Sequence, residues 1–146
     1  MPRAIPGSNG GSMSDKKLAV LIVDDSRTVL AQIESVVAAS EGVEVVGTAR
    51  NGAEAIQQVS QLHPDLVLMD IVMPDVDGIA ALRLIQAKNP ETRIAMLSSV
   101  GAMASKAEEA FRLGAIQVLS KPIDQDILGA LLAQECERIR PVDGSQ

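Results

Sequence analysis

Aromatic residues are almost absent from this chain of 146 residues, which contains no Trp, no Tyr and a single Phe. Because 47% of its residues are nevertheless hydrophobic, the core is predicted to be mainly aliphatic, and Phe111 is interpreted as part of that core. The chain also has only one cysteine, Cys136, which excludes an internal disulfide and favours a cytoplasmic location. A formal net charge of -6 argues against a nucleic-acid-binding surface.

Long apolar runs are absent as well. No apolar run has the length that crossing a bilayer requires, and the N-terminus lacks the apolar segment of a secretory signal. Residues 1–13 are rich in Gly, Ser, Pro and Asn, and they are predicted to be a flexible leader of the kind added for expression. Residues 14–140 are predicted to form one domain, followed by a short tail over 141–146.

Short apolar runs alternate along the domain with segments of helical periodicity. The predicted strands are 18–23, 43–49, 66–69, 93–98 and 116–120. Asn51 and Glu54 form a capping-box pattern for a helix over 53–61; further helices are predicted over 78–87 and 106–113, and Asp124 is predicted to cap the last helix. Apolar strands that alternate with helices indicate an α/β fold with a parallel sheet covered on both faces. Right-handed crossovers then favour a doubly wound, five-stranded sheet.

Polar residues stand at the ends of four of the five predicted strands. They are Asp24 and Asp25 after the first strand, Asp70 after the third, Ser98 and Ser99 at the end of the fourth, and Lys121 after the fifth. In an open parallel sheet the carboxyl ends of the strands meet at one edge, where ligands bind. Taken singly, these residues have simpler interpretations: Asp24 could cap the first helix, and Lys121 could be a solvated surface lysine. Their shared position favours a common site.

Three carboxylates at one edge need a compensating charge. At ~4 Å and an effective dielectric constant near 20, each pair of carboxylates repels by roughly 4 kcal/mol. Carboxylates and a backbone carbonyl are ligands that suit Mg²⁺, and a lysine ammonium can hold an anionic oxygen. Since an aspartate can form an acyl phosphate, these groups together indicate a site that receives a phosphoryl group.

Four motifs, "LIVDDS", "LVLMDIVMPDVDG", "MLSS" and "GAIQVLSKP", follow one another at suitable spacing within residues 18–139. Together they resemble the receiver domain of the bacterial response regulators, and the chain is similar to CheY. The resemblance implies a flavodoxin-like fold and a phosphorylation-activated switch of two-component or phosphorelay signalling. It also implies Mg²⁺ or Mn²⁺ as the cofactor, and a sensor histidine kinase or His-phosphotransfer protein as the phosphoryl donor.

The resemblance also implies how such a switch acts on its target. The activated form is expected to signal by protein–protein contact through the fourth helix, the fifth strand and the last helix. It is expected to do so as a monomer or as a phosphorylation-dependent dimer, without direct contact to nucleic acid or to a membrane.

Roles for single residues follow from the same resemblance. Asp70 matches the phosphoacceptor, and Asp25 matches a direct metal ligand. Asp24 matches an acidic residue that acts on the metal largely through water, and the backbone carbonyl of Val72 matches the third protein ligand. Lys121 matches the lysine that pairs with the phosphoryl group.

The expected switch residues are Ser98 and Val118. Ser98 matches the hydroxyl residue that moves toward the phosphoryl group; the alignment of "MLS" to the strand end favours Ser98, whereas counting back from Lys121 favours Ser99. Pro122 is expected to follow a cis bond. Val118 departs from the family, which often carries Tyr or Phe three residues before the lysine. The switch position therefore lacks the ring that turns inward on activation.

Other functions account for fewer of these features. A small phosphohydrolase with Asp70 as nucleophile is expected to have a second acid two residues later, where this chain has Val72. A nucleotide-binding domain needs a Gly-rich loop after the first strand, which is missing here, and a pseudo-receiver would not need the acidic residues. A receiver domain excised from a longer regulator is the alternative to a stand-alone one. Neither is expected to be an enzyme beyond assisting its own phosphorylation and dephosphorylation.

Overall fold

Five strands alternate with five helices in the computed structural model, which describes residues 16–99 and 104–140. The strands are β1 (Leu18–Val23), β2 (Val43–Ala49), β3 (Leu66–Asp70), β4 (Arg93–Ser98) and β5 (Gln117–Ser120). The helices are α1 (Arg27–Ala38), α2 (Gly52–Leu62), α3 (Gly78–Lys88), α4 (Ala104–Arg112) and α5 (Gln125–Ile139). The predicted leader over 1–13 and the predicted tail over 141–146 lie outside the described residues.

All five strands join one parallel sheet in the order β2-β1-β3-β4-β5. The strand order reverses beside β1, so β1 and β3 are central neighbours whose carboxyl ends lie next to each other. The register between β1 and β2 shifts once, between Val20 and Leu21. The doubly wound, five-stranded sheet predicted from the sequence is confirmed.

The central strand β3 is buried along its whole length, because helices cover both faces of the sheet. Successive side chains of a strand point to opposite faces, so Val67 and Met69 pack in the apolar cluster under α2, α3 and α4. Leu66 and Leu68 pack in the second cluster, under α1 and α5. A continuous apolar sequence is therefore what this strand requires.

Side-chain caps begin several helices where the sequence predicts them. The Asn51 side chain accepts a hydrogen bond from the Glu54 N–H at 2.9 Å, and Glu54 accepts one from the Arg50 N–H at 2.8 Å. Asp124 caps α5 by accepting two backbone N–H bonds. None of the helices in the described part of the chain combines the length and apolar character needed to cross a bilayer.

Phe111 corrects one expectation. It was predicted to lie in the core, yet 51% of its surface is exposed. Helix α4 turns the fully buried Ala110 toward the sheet, and the next residue points about 100° away around the helix axis. The described core is consequently aliphatic throughout, and the one aromatic ring lies at the surface of α4.

Candidate functional site

Three carboxylates gather at the carboxyl edge of the sheet. Asp70 is the last residue of β3, and Asp24 and Asp25 follow β1, its neighbour. One carboxylate oxygen from each of the three lies within 4.8 Å of the others. Asp24 is fully buried and Asp70 is 4% exposed, whereas Asp25 is exposed. The structure thus brings the three predicted acids together at the boundary between core and solvent.

Lys121 places an ammonium group between two of these acids. Its Nζ donates a hydrogen bond to Asp70 Oδ2 at 3.0 Å and lies 2.7 Å from Asp24 Oδ2. The backbone N–H of Lys121 donates to the Ser98 carbonyl at 2.7 Å, which fixes the start of the β5–α5 connection against the end of β4. The bond from Lys121 to Pro122 is cis, as expected from the sequence.

Asp24 uses its two oxygens in different ways. Oδ1 accepts the Ser26 N–H at 2.8 Å, and this orients Oδ2 toward the site. Oδ2 is buried and lies 2.7 Å from Lys121 Nζ, with which it forms an ion pair. The alternative that Asp24 caps α1 is wrong, because the cap is Ser26, whose Oγ accepts the Val29 N–H at 3.3 Å.

Burial and charge act against each other on the two paired groups. Burial raises the pKa of Asp70, the Lys121 hydrogen bond lowers it, and the neighbouring Asp24 charge raises it, with a net result above the usual value. Burial lowers the pKa of Lys121, but its contacts with Asp24 and Asp70 raise it by more. Lys121 therefore stays charged, and its ammonium faces two acids that a single positive charge cannot fully compensate.

The loop from β3 to α3 folds back onto Asp70. The Val72 N–H donates to Asp70 Oδ1 at 3.2 Å, and the Gly78 N–H donates to the Ile71 carbonyl at 2.8 Å. A Cβ at Gly78 would overlap the Asp70 carbonyl oxygen, so only glycine allows this approach. Asp75 has a φ of 65°, a left-handed conformation that side chains rarely adopt. Val72 is 66% exposed.

The residues expected to switch, Ser98 and Val118, lie on β4 and β5. Ser98 ends β4 and is half-buried, and among the described residues its hydroxyl makes a long contact of 3.5 Å to the Ser99 carbonyl. Ser99 is exposed. Val118 is half-buried on β5 and lines a cavity of about 420 Å³ together with Lys121 and Ile127.

Sequence reasoning missed Ser26 and the Gly78 contact. The signal for Ser26 is a cap residue directly before an amphipathic helix. The signal for Gly78 is a glycine at a helix start where a side chain would ordinarily be favoured. Both residues act on the site through the backbone, by orienting Asp24 and by closing the loop after Asp70.

Comparison with known proteins identifies the family. Residues 20–133 match the family model of the response regulator receiver domain. The chain belongs to this family. Its fold is that of the response regulator domain of Thermotoga maritima CheB, with a TM-score of 0.73, 33% identity, and coverage of 88% of this chain and 99% of that one. The resemblance seen in the sequence is confirmed, and the chain has the function class of a two-component receiver domain.

Curated relatives of this receiver domain are longer proteins. The chain is 40% identical over 132 residues to protein-glutamate methylesterase/protein-glutamine glutaminase 5 of Geobacter metallireducens, covering 90% of this chain and 36% of that protein. It is 37% identical over 105 residues to the protein of the same name from Myxococcus xanthus, covering 72% of this chain and 30% of that protein. The chain thus spans about a third of the length of the curated relatives it matches.

Proposed function

We propose that this receiver domain accepts a phosphoryl group on Asp70 from a sensor histidine kinase or a His-phosphotransfer protein. The observation that carries the proposal is the contact of Lys121 with Asp70 and Asp24 inside the cluster of three acids. A nearly buried aspartate at the end of a central strand is held there beside a permanent positive charge. That arrangement suits a carboxylate that must gain a further negative group.

A divalent cation, Mg²⁺ or Mn²⁺, is part of the proposal. Asp25, Asp70 and the Val72 carbonyl would hold it directly, and Asp24 would hold it largely through water. The fit is supported by the three carboxylate oxygens within 4.8 Å of one another and by the charge of the site, where the single ammonium of Lys121 faces both Asp24 and Asp70. When bound, the cation supplies the charge neutralisation that lets an anionic phosphoryl group approach two carboxylates.

The chain's own residues account for the transfer. A carboxylate oxygen of Asp70 forms the new P–O bond while the P–N bond to the donor histidine breaks, and the nitrogen keeps the electron pair. Lys121 neutralises charge on the phosphoryl oxygens. Ser98 then turns its hydroxyl toward the new group and donates a hydrogen bond, and Val118, which has no ring, follows by a change in packing around its cavity. The acyl phosphate carries a charge of about −2 in place of the −1 of the carboxylate, and it brings new acceptor oxygens, which together bias two packings of the surrounding loops.

The output surface of the proposal is formed by α4, β5 and α5. Phe111 on α4 and Ile127 on α5 are large apolar side chains that remain about half exposed there. A downstream protein contacts this surface, in the cytoplasm and without direct contact to nucleic acid or membrane. The domain acts as a monomer or as a phosphorylation-dependent dimer, and it is no enzyme beyond its own phosphorylation and dephosphorylation. Its relatives favour a receiver that belongs to a longer regulator with a methylesterase portion.

The test is phosphorylation with a small phosphodonor and Mg²⁺, followed by intact mass and by amide chemical shifts with a beryllium fluoride mimic. We expect one phosphoryl group per chain, and no phosphoryl group on the Asp70→Asn variant. The control Asp126→Asn, an exposed acid in the first turn of α5, should be phosphorylated as the wild type is. Phosphorylation that survives Asp70→Asn contradicts the proposal, and continuous release of phosphate from added phosphoesters would favour the phosphohydrolase alternative.

A pair of variants decides whether the hydroxyl of Ser98 or that of Ser99 responds to the phosphoryl group. Ser98→Ala should reduce the chemical-shift response of β4 and β5 to beryllium fluoride, while Ser99→Ala should leave it intact. The reverse pattern would assign the role to Ser99.

A further inference from the structure

The first residue of α2 touches the loop that follows Asp70. The Gly52 N–H donates a hydrogen bond to the Val76 carbonyl at 3.1 Å, and Gly52 is buried by this contact. Val76 also packs against the apolar cluster under α2, α3 and α4. Helix α2 is therefore linked to the β3–α3 loop at one defined point, although none of its residues belongs to the cluster of three acids.

A side chain at Gly52 would not fit against that loop. An added Cβ would overlap the Val76 carbonyl oxygen and would lie 2.7 Å from Cγ1 and 2.9 Å from Cβ of Val76. Because a backbone oxygen is among the overlapping atoms, rotating or trimming the Val76 side chain cannot relieve the contact. Space rather than backbone conformation demands glycine here, since Gly52 is the first residue of a helix and lies outside the left-handed region.

The β3–α3 loop has little freedom to move if an added Cβ at position 52 displaces Val76. Its start is tied by the Val72 N–H to Asp70, and its end by the Gly78 N–H to Ile71. Gly78 lies so close to the Asp70 carbonyl oxygen that a Cβ there would overlap it. A displacement at Val76 must consequently spread along the few residues between these ties, and Val72 is one of them.

We infer that Gly52 is a positioning residue for the divalent cation: its contact with Val76 sets the loop so that the Val72 carbonyl can serve as a ligand. The inference rests on the metal site of the proposed function. Gly52 touches neither the acids nor the phosphoryl group; it acts through Val76 alone. Residues of this kind, which orient a ligand from outside, typically change metal affinity by roughly 10–100-fold when replaced.

The main experiment compares Gly52→Ala with Gly129→Ala. Gly129 lies within α5, and a Cβ there has no neighbouring atom within 4 Å, so this variant makes the same chemical change without a clash. Titration with Mg²⁺, followed by calorimetry or amide shifts, should show affinity weakened roughly 10-fold or more for Gly52→Ala and unchanged for Gly129→Ala. Urea unfolding without Mg²⁺ establishes that each variant is folded under the titration conditions.

A readout without metal separates this inference from the proposed function. In metal-free protein, Gly52→Ala should shift the amide resonances of Val72 and Val76, whereas Gly129→Ala should leave both in place. If those shifts appear but the wild type does not bind Mg²⁺, the metal site of the proposed function is wrong while the link between α2 and the loop stands. If the wild type binds Mg²⁺ and a folded Gly52→Ala binds it equally well, the inference is overturned.

Val76→Ile is a milder variant for the case in which Gly52→Ala does not fold. It enlarges the same contact from the loop side by one methylene group and should weaken Mg²⁺ binding in the same direction, by a smaller factor. Unchanged Mg²⁺ affinity and unchanged Val72 resonance in a folded Val76→Ile protein would contradict the inference.

Discussion

Replacement of Lys121 by Met tests whether the ammonium group stabilises the fold as well as the site. The variant keeps most of the side-chain volume but removes the charge that lies 2.7 Å from Asp24 and 3.0 Å from Asp70. With an effective dielectric constant near 20, each contact represents roughly 5–6 kcal/mol of Coulomb attraction. Desolvation of the ions offsets most of it, and removal of one partner from a buried pair costs about 3–5 kcal/mol.

We therefore expect the free energy of unfolding of Lys121→Met to fall by about 3–5 kcal/mol at neutral pH without Mg²⁺. The assay is urea unfolding followed by far-ultraviolet circular dichroism, because the chain has no Trp or Tyr. The control is Lys17→Met, an exposed lysine before β1, which should change stability by no more than about 0.5 kcal/mol.

The difference in the free energy of unfolding between the wild type and Lys121→Met should also depend on pH. Burial already raises the pKa of Asp70, and the hydrogen bond from Lys121 is the largest effect that opposes that rise. In the variant the folded state therefore binds a proton on Asp70 more tightly than the unfolded chain does, and stability increases as pH falls toward the raised pKa. The deficit should shrink at mildly acidic pH. A variant as stable as the wild type at neutral pH, or a deficit that does not change with pH, would refute this account of the site.

Three further predictions concern residues away from the site. Glu135 is 2% exposed and accepts two hydrogen bonds from Arg93, at 2.7 and 3.1 Å. The Glu135→Gln variant should therefore have a free energy of unfolding about 1–3 kcal/mol lower than the wild type in a urea titration. The control Glu137→Gln, at an exposed position, should change it by no more than about 0.5 kcal/mol. His63 ends α2 with a φ of 48°, a left-handed conformation that glycine adopts more readily than other residues. His63→Gly should therefore increase the free energy of unfolding by roughly 0.5–1 kcal/mol and raise the urea midpoint; a lower midpoint would contradict this. Burial raises the pKa of Cys136, so iodoacetamide should react with it more slowly in folded than in urea-unfolded protein at mildly alkaline pH, and equal rates would show that the thiol is not shielded.

Much of the fold could be predicted because local signals and global topology agree. The run from Leu66 to Met69 is buried on both faces of the sheet, and its continuous apolar sequence predicts this burial. Asn51 and Asp124 are caps in the sequence and caps in the structure. Polar residues at strand ends were predictable as neighbours, since a parallel sheet brings all carboxyl ends to one edge.

The remainder depends on contacts between distant parts of the chain. Asp24 and Ser26 are both acceptable caps for α1 from the sequence; in the structure Ser26 is the cap, and Asp24 pairs with Lys121, which lies far away in the sequence. Phe111 is exposed because of how α4 is rotated over the sheet, and the small residue Ala110 gives that rotation only a weak sequence signal. The clash that makes glycine necessary at position 52 becomes visible only when Val76 is in place.

The separation of the core into two clusters has a consequence for how such a chain can diversify. The sheet stands between the side chains under α1 and α5 and those under α2, α3 and α4, so substitutions in one layer need not be compensated in the other. Adjacent residues such as Val67 and Leu68 belong to different layers, so each packs against a different set of helices. During evolution, the residues under α1 and α5 can thus change while those under α2, α3 and α4 stay the same, or the reverse. The strands and the charged residues at their carboxyl ends must be preserved in both cases.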